Sequence, residues 1–166
     1  MLIPLLLRTW APRGETPIVR HVYRHERLSV ISALTLSPRR RHWGLYFSLQ
    51  VRNIKGRDVV VFLRFLLRHL RGPVVLVWDE ARIHKGRRME DFLMRNGRLQ
   101  IERFPKYAPE LNPAEHVWTQ SKRRMANGSP QGIEELQRTT AKELGRIQGS
   151  RPLLRSCLHA SDLAWP

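Results

Sequence analysis

Two carboxylates, Asp79 and Glu115, occupy positions where acidic side chains can form a site. Asp79 ends the apolar run Val74–Trp78, which predicts a strand buried on both faces of a parallel sheet. Glu115 follows Asn112, which suits a helix N-cap, and Pro113, which suits the first helical position. Because sites form at the carboxyl edge of an open α/β sheet, we expect the two acids to meet there. In a basic chain, two converging acids predict a divalent-metal site for phosphate chemistry.

Each acid also has a purely structural interpretation. An aspartate at a strand end can hydrogen-bond the loop that follows it. Glu115 falls at the third position of the predicted helix, where a capping box uses glutamate and the helix dipole favours a negative charge. Glu110, in the preceding turn, is interpreted as a surface or turn residue. The residue types alone leave these alternatives open.

The net charge limits the class of partner. The chain has 30 lysines and arginines against 14 acids, a formal charge of +16. A field of that sign attracts polyanions, so nucleic acid is the expected partner. The alternative is a basic protein with a solvated surface, or a ribosome-like binder without chemistry.

Cysteine content and hydropathy indicate the compartment. Cys157 is the only cysteine, so no intrachain disulfide can form and a reducing cytoplasm is expected. Cys157 and His159 are interpreted as packing and surface residues. The apolar stretch 1–7 is short and broken by Pro4, which is unlike a signal peptide, and no stretch is long enough to span a bilayer. We therefore expect no membrane association.

Periodicity predicts one domain over residues 1–166, with an extended basic arm at 1–17 and C-terminal helices within 130–163. Strands are predicted at 28–36, 43–51, 74–78 and 99–104, and helices at 58–71, 87–94, 112–125, 133–147 and 152–163. The arm contains a predicted turn at 12–14. This order of elements indicates a mixed α/β layer.

The motif Tyr107–Trp118, YAPELNPAEHVW, follows the Trp78-Asp79 strand tip and Ile83-His84. Together these residues resemble the DDE transposases of bacterial insertion sequences related to the mariner elements. The segments 8–17 and 27–34 also resemble that family's catalytic domain. The resemblance implies an α/β ribonuclease-H-like mixed sheet with flanking helices. It also implies metal-dependent DNA strand cleavage and strand transfer at insertion-sequence ends.

In that family Asp79 and Glu115 would be catalytic and would bind Mg²⁺ or Mn²⁺, with two ions in the intact site. The family's first catalytic aspartate lies on a central strand just before the segment that starts here at Met1. The first acids of this chain are Glu15 and Glu26, and neither ends a predicted strand. We therefore expect an N-terminally truncated catalytic domain that lacks its first central strand and is inactive alone.

The resemblance also implies partners. These are DNA, as terminal repeats and target, an upstream transposase fragment that supplies the missing aspartate, and a second copy on DNA. The candidate DNA contacts are basic or imidazole side chains near the acids, on the predicted 112–125 helix or in the turn between the first two strands: Arg82, His84, Lys85, His116, Lys122, Arg123, Arg124, Arg39, Arg40 and Arg41. Packing or solvated positions are the alternative for each. Glu80 places a second negative charge beside Asp79, a repulsion that a bound cation would relieve.

Two other functions are consistent with these features. One is a non-catalytic basic DNA-binding remnant or regulator of an intact transposase, which requires only the basic surface. The other is a cellular ribonuclease-H-like nuclease unrelated to transposition, which the 8–17 resemblance disfavours.

Overall fold

The computed structural model describes residues 7–8, 10–15, 27–37, 42–128 and 130–163. Its first two strands, β1 (Ser29–Ser37) and β2 (His42–Gln50), pair antiparallel along their whole length. Both are confirmed, with their ends shifted by one residue from the prediction. The turn with Arg39, Arg40 and Arg41 lies outside the described residues, so the DNA contacts predicted there stay a prediction.

Helix α1 (Gly56–His69) is confirmed, with both ends two residues earlier than the predicted 58–71. One face buries its apolar side chains, among them Val59, Val60, Phe62, Leu63, Leu66 and Leu67. At its start, the Asp58 carboxylate accepts two hydrogen bonds from the Arg52 guanidinium, each 2.7 Å, and one from the Lys55 backbone N–H at 2.8 Å. Because Arg52 lies just after β2, this pair ties the beginning of α1 to the end of that strand.

A βαβ unit follows α1. Strands β3 (Val74–Trp78) and β4 (Leu99–Arg103) pair parallel, connected through α2 (Arg87–Met94). The ladder extends one residue past β4, because the Phe104 N–H donates to the Trp78 carbonyl at 2.9 Å. The segment between β3 and α2 contains a 3₁₀ turn at Arg82–His84, where the sequence predicts only a loop.

Three helices complete the described chain: α3 (Pro113–Arg124), α4 (Ile133–Gln148) and α5 (Arg151–His159). Asn112 caps α3 as predicted, because its side-chain oxygen accepts from the Ala114 N–H at 3.0 Å. The last helix is shorter than its predicted span of 152–163. None of the helices in the described ranges combines the length and apolar character needed to cross a bilayer.

The apolar side chains form two cores that meet opposite faces of β1–β2. The first contains residues of α1, α2 and β4: Val59, Val60, Leu63, Leu66, Leu67, Met89, Phe92 and Leu99. The second contains residues of β2 and α3–α5: Leu45, Val117, Leu144, Ile147, Leu154 and Cys157. Ile31 and Ala33 of β1 and Val74 and Leu76 of β3 all pack on the first core. Helix α1 therefore connects the two pairs of strands.

In the part of the chain that is described, the strands form two separate sheets, β1–β2 and β3–β4. The prediction that Val74–Trp78 is buried on both faces is wrong, because Val75 is 58% and Val77 is 42% exposed. The cause is that α1 and α2 cover only the face that carries Val74, Leu76 and Trp78.

Candidate active site

Asp79 lies immediately past the end of β3, with 63% of its side chain exposed. One carboxylate oxygen, Oδ1, accepts from the Ala81 backbone N–H at 3.0 Å and lies 3.1 Å from Nε2 of His84. Asp79 therefore does bond the loop that follows it, as the structural interpretation requires. Among the described residues no hydrogen bond or ion pair involves the other oxygen, Oδ2, so Asp79 retains a ligand atom for a cation.

The His84 ring is held beside Asp79 by stacking on Trp78, with ring centroids 4.4 Å apart and planes 20° from parallel. Burial lowers the pKa of His84, and the nearby Asp79 charge opposes that shift without cancelling it. The imidazole is therefore neutral at neutral pH, and Nε2–H donates to Asp79. Its Nδ1 is buried with no partner among the described residues, which suits an unprotonated nitrogen better than an N–H. His84 thus orients the Asp79 carboxylate.

The Glu80 carboxylate lies near two cationic side chains. Its two carboxylate oxygens lie 3.6 Å from Arg103 Nη1 and 3.8 Å from Lys106 Nζ. These side chains, at and after the end of β4, offset part of the Glu80 charge, and the relief of its repulsion with Asp79 by a metal stays a prediction. Sequence reasoning identified neither Arg103 nor Lys106 as a partner of Glu80. The signal for Arg103 is the parallel register of β3 and β4, which places it opposite Trp78.

Glu115 lies in the first turn of α3 and is exposed. The capping box does not form, because the Asn112 N–H that it requires donates instead to the Pro109 carbonyl at 3.0 Å. The Glu115 carboxylate makes no hydrogen bond or ion pair with any described residue. The capping-box interpretation therefore fails. The helix-dipole interpretation still applies to a glutamate in the first turn of α3, and the carboxylate remains available.

The other predicted residues that the structure describes lie on the loop after β3 or on helix α3. Arg82 and Lys85 are exposed on the loop that begins at Asp79. His116 is half-buried, and its Nε2 has no partner among the described residues. The basic run is at the far end of α3, about 10 Å along the helix axis from Glu115: Lys122, Arg123 and Arg124. Of these three, Arg124 lies 3.8 Å from Glu143.

The structure thus brings Asp79 together with His84 and Trp78. No contact joins Asp79 to Glu115 among the described residues, and within the same ranges no group of three or more His, Cys, Asp or Glu side chains is placed to hold a metal. The convergence of the two acids stays a prediction. Their free carboxylate oxygens do fit an ion such as Mg²⁺, which keeps water and substrate oxygens among its ligands.

Comparison with known proteins gives one family match and several structural neighbours. The sequence model of the DDE superfamily endonuclease family matches residues 2–137. No curated protein matches the chain at the sequence level. The Mos1 strand transfer complex is similar, with a TM-score of 0.55 and 14% identity over 98% of this chain and 52% of the Mos1 chain. The chain thus spans about half the length of that relative.

Two further Mos1 structures are similar to a comparable degree. The catalytic domain of Mos1 mariner transposase has a TM-score of 0.52 and 13% identity, over 85% of this chain and 81% of that one. The Mos1 paired-end complex with the left transposon end has a TM-score of 0.56 and 14% identity, over 96% of this chain and 52% of the Mos1 chain. These likenesses confirm the predicted α/β, ribonuclease-H-like fold with flanking helices. Since the family match covers most of the residues, the chain belongs to the DDE superfamily endonuclease family.

Proposed function

We propose that this chain is the catalytic part of a DNA transposase, acting in metal-dependent strand cleavage and strand transfer at insertion-sequence ends. The observation that carries the proposal is the pair of available carboxylates, Asp79 at a strand tip and Glu115 at a helix entry, in a chain of the DDE family. The charge of +16 supports DNA as the partner. The Mos1 relatives include a strand transfer complex and a paired-end complex with a transposon end, which support the same activity by similarity.

Asp79 and Glu115 are the residues that would hold Mg²⁺ or Mn²⁺, two ions in the intact site. When bound, the metal activates the attacking water or 3′-hydroxyl and stabilises the leaving oxygen. Relatives are known with each metal, since the Mos1 catalytic domain has structures with Mn and with Mg. In this chain His84 orients the Asp79 carboxylate, while Arg82 and Lys85 lie where they can contact phosphates beside it.

The proposed protein partners are an upstream transposase segment and a second copy on DNA. Strands β1 and β3 each pair with only one described strand, and both pack on the core around α1. A strand carrying the family's first aspartate, on this polypeptide or another, would pair at the free edges and complete the ligand set. The proposed second copy rests on the family resemblance. The single-domain division with an arm at 1–17, and a cytoplasmic location suited to the free Cys157, belong to the same proposal.

Nicking of a terminal-repeat duplex tests the activity, measured with Mn²⁺ and with the upstream segment present or absent. We expect nicking only with the segment present. Asp79→Asn and Glu115→Gln should each lower it by at least about 100-fold, since even residues that only orient a metal ligand contribute up to that much. Glu110→Gln is the matched control, because it removes an exposed carboxylate in the turn before α3. Undiminished nicking in Asp79→Asn would contradict the proposal.

A second candidate is a non-catalytic DNA-binding remnant or regulator of an intact transposase. The observation that favours it is the charge of +16, because binding to phosphates requires only a basic surface. The same assay separates the two functions. DNA binding that is indifferent to metal, together with no nicking even when the upstream segment is added, supports the remnant.

A further inference from the structure

A second basic surface lies on the outer side of α1 and α2. Two adjoining hollows there, of about 560 and 310 Å³, share Arg87 and Arg88 in their walls. The cationic side chains that line one or both hollows include Arg57, Arg64, Lys85, Arg87, Arg88 and Arg95. We call these six residues the α1–α2 groove. None of them except Lys85 was expected to bind DNA from the sequence.

The charges of the groove are largely uncompensated. All six side chains are exposed, and Arg64, Arg87, Arg88 and Arg95 make no ion pair with any described residue. Arg57 lies 3.8 Å from Asp58, but that carboxylate is already bonded by both Arg52 nitrogens. Asp91 is an acid in the wall of the larger hollow. The groove is therefore strongly positive.

The spacing of the arginines suits a regular polyanion. Arg57 and Arg64 on α1 are seven residues apart, as are Arg88 on α2 and Arg95, the residue that caps the C-terminal end of α2. Each pair therefore lies on one stripe about 10.5 Å long. A stripe of that length can contact more than one phosphate, since each strand of a DNA duplex carries one phosphate for about every 3.4 Å of helix axis. The Arg64 guanidinium lies 6.0 Å from the centre of the Phe92 ring, which helps to hold it over α2.

We propose that the α1–α2 groove binds the phosphate backbone of a DNA duplex as it leaves the Asp79 strand tip. The groove begins beside that tip, because Lys85 directly follows His84, the residue in contact with Asp79. Arginine suits this role, since its planar fork makes paired hydrogen bonds to phosphate oxygens. The choice of DNA rests on the proposed function, whereas the recognition of a regular row of phosphates rests on the groove itself.

The test is the salt dependence of binding to a fluorescent duplex, followed by anisotropy in EDTA so that no cleavage occurs. The groove variant combines Arg64→Gln, Arg88→Gln and Arg95→Gln. The control combines Arg138→Gln, Lys142→Gln and Arg155→Gln, which remove the same charge from exposed positions of α4 and α5. We expect the slope of log affinity against log salt to fall by about 2 to 3 in the groove variant, at about 0.9 per lost phosphate contact. The control should keep its slope.

An equal decrease of the slope in both triple variants, or no decrease in either, would overturn the proposal. Displacement of the DNA by polyglutamate at equal charge concentration would also overturn it. If the groove triple does not fold, Arg88→Gln alone should lower the slope by about 1, and an unchanged slope contradicts the groove. Nicking that fails while groove-dependent binding persists would reject the proposed function and leave the groove intact. Nicking that depends on Asp79, without groove-dependent binding, would reject the groove and leave the proposed function intact.

Discussion

The two sheets of this protein are supported very differently. The strands of β1–β2 are nine residues long and pack against the α1 core on one face and the α3–α5 core on the other. The strands of β3–β4 are five residues long, and their second face leaves Val75 and Val77 exposed. Asp79 extends from this less supported sheet. The difference indicates that the β1–β2 half stabilises the fold, whereas the β3–β4 half holds the candidate site.

The largest effect is expected in the well-covered half. Leu45 on β2 is 1% exposed and lies in the second core with Val117 and Leu144. Leu45→Ala should lower the free energy of unfolding by about 2–5 kcal/mol, because it removes buried methyl groups and leaves a cavity. Urea unfolding followed by circular dichroism measures this. A loss below about 1 kcal/mol would mean that this half is not the stable one.

Chemical reactivity of the same core is the next test. Burial raises the pKa of the Cys157 thiol to about 11, with a smaller opposing contribution from a hydrogen bond with Ser156. At about pH 8 the folded chain should react with Ellman's reagent on the order of 100 times more slowly than the unfolded chain, whose thiol pKa is near 8.5. Equal rates would show that the α5 side opens readily.

The connection between the two halves can be weakened at Asp58. Its pKa lies well below the ordinary aspartate value, because Arg52 and the Lys55 N–H bond the charged form. A depressed pKa contributes stability that is complete above the unfolded pKa near 4 and is lost as pH falls through the lower folded value. Asp58→Asn should therefore lower the urea midpoint at neutral pH, and its difference from wild type should shrink on acidification below about pH 4. A difference that does not depend on pH would contradict the role of the Arg52–Asp58 pair.

The smallest effect is expected on the open face of β3. Val77→Thr should change the free energy of unfolding by less than about 0.5 kcal/mol, because this side chain is 42% exposed and threonine keeps the β-branched shape. The same urea titration measures it, with Leu45→Ala as the reference for a buried site. A cost above about 1.5 kcal/mol would show that another layer covers this face in solution.

Most elements of the fold follow from the sequence, because periodicity and capping are local properties. The α2 helix is predicted at its observed bounds, Arg87–Met94, and the Asn112 cap is confirmed. Burial of β3 was predicted wrongly, because an apolar run indicates a strand but not whether a second layer packs on it. The competition of Pro109 for the Asn112 N–H was likewise invisible, since it depends on the fold of the preceding turn.

The candidate site was predictable to a different degree. The residue pattern identified Asp79 and Glu115, but the stacking of His84 on Trp78 and the pairing of Glu80 with Arg103 and Lys106 arise only when β3 and β4 align. The α1–α2 groove requires two helices to lie side by side. The seven-residue spacing of the arginines is present in the sequence, but the sequence does not show that the two arginine pairs lie next to each other.

The central claim is the proposal that Asp79 and Glu115 share at least one of the divalent cations of the site. The most direct measurement is the Kd for Mn²⁺, obtained by electron paramagnetic resonance for wild type, Asp79→Asn, Glu115→Gln and the double variant, in the presence of the upstream segment. If the acids share an ion, each single variant should raise the Kd by at least about 10-fold. The Kd of the double variant should then be only slightly higher than that of the single variant that binds Mn²⁺ more weakly. Effects that add fully, or a single variant that binds Mn²⁺ as wild type does, would contradict a shared site.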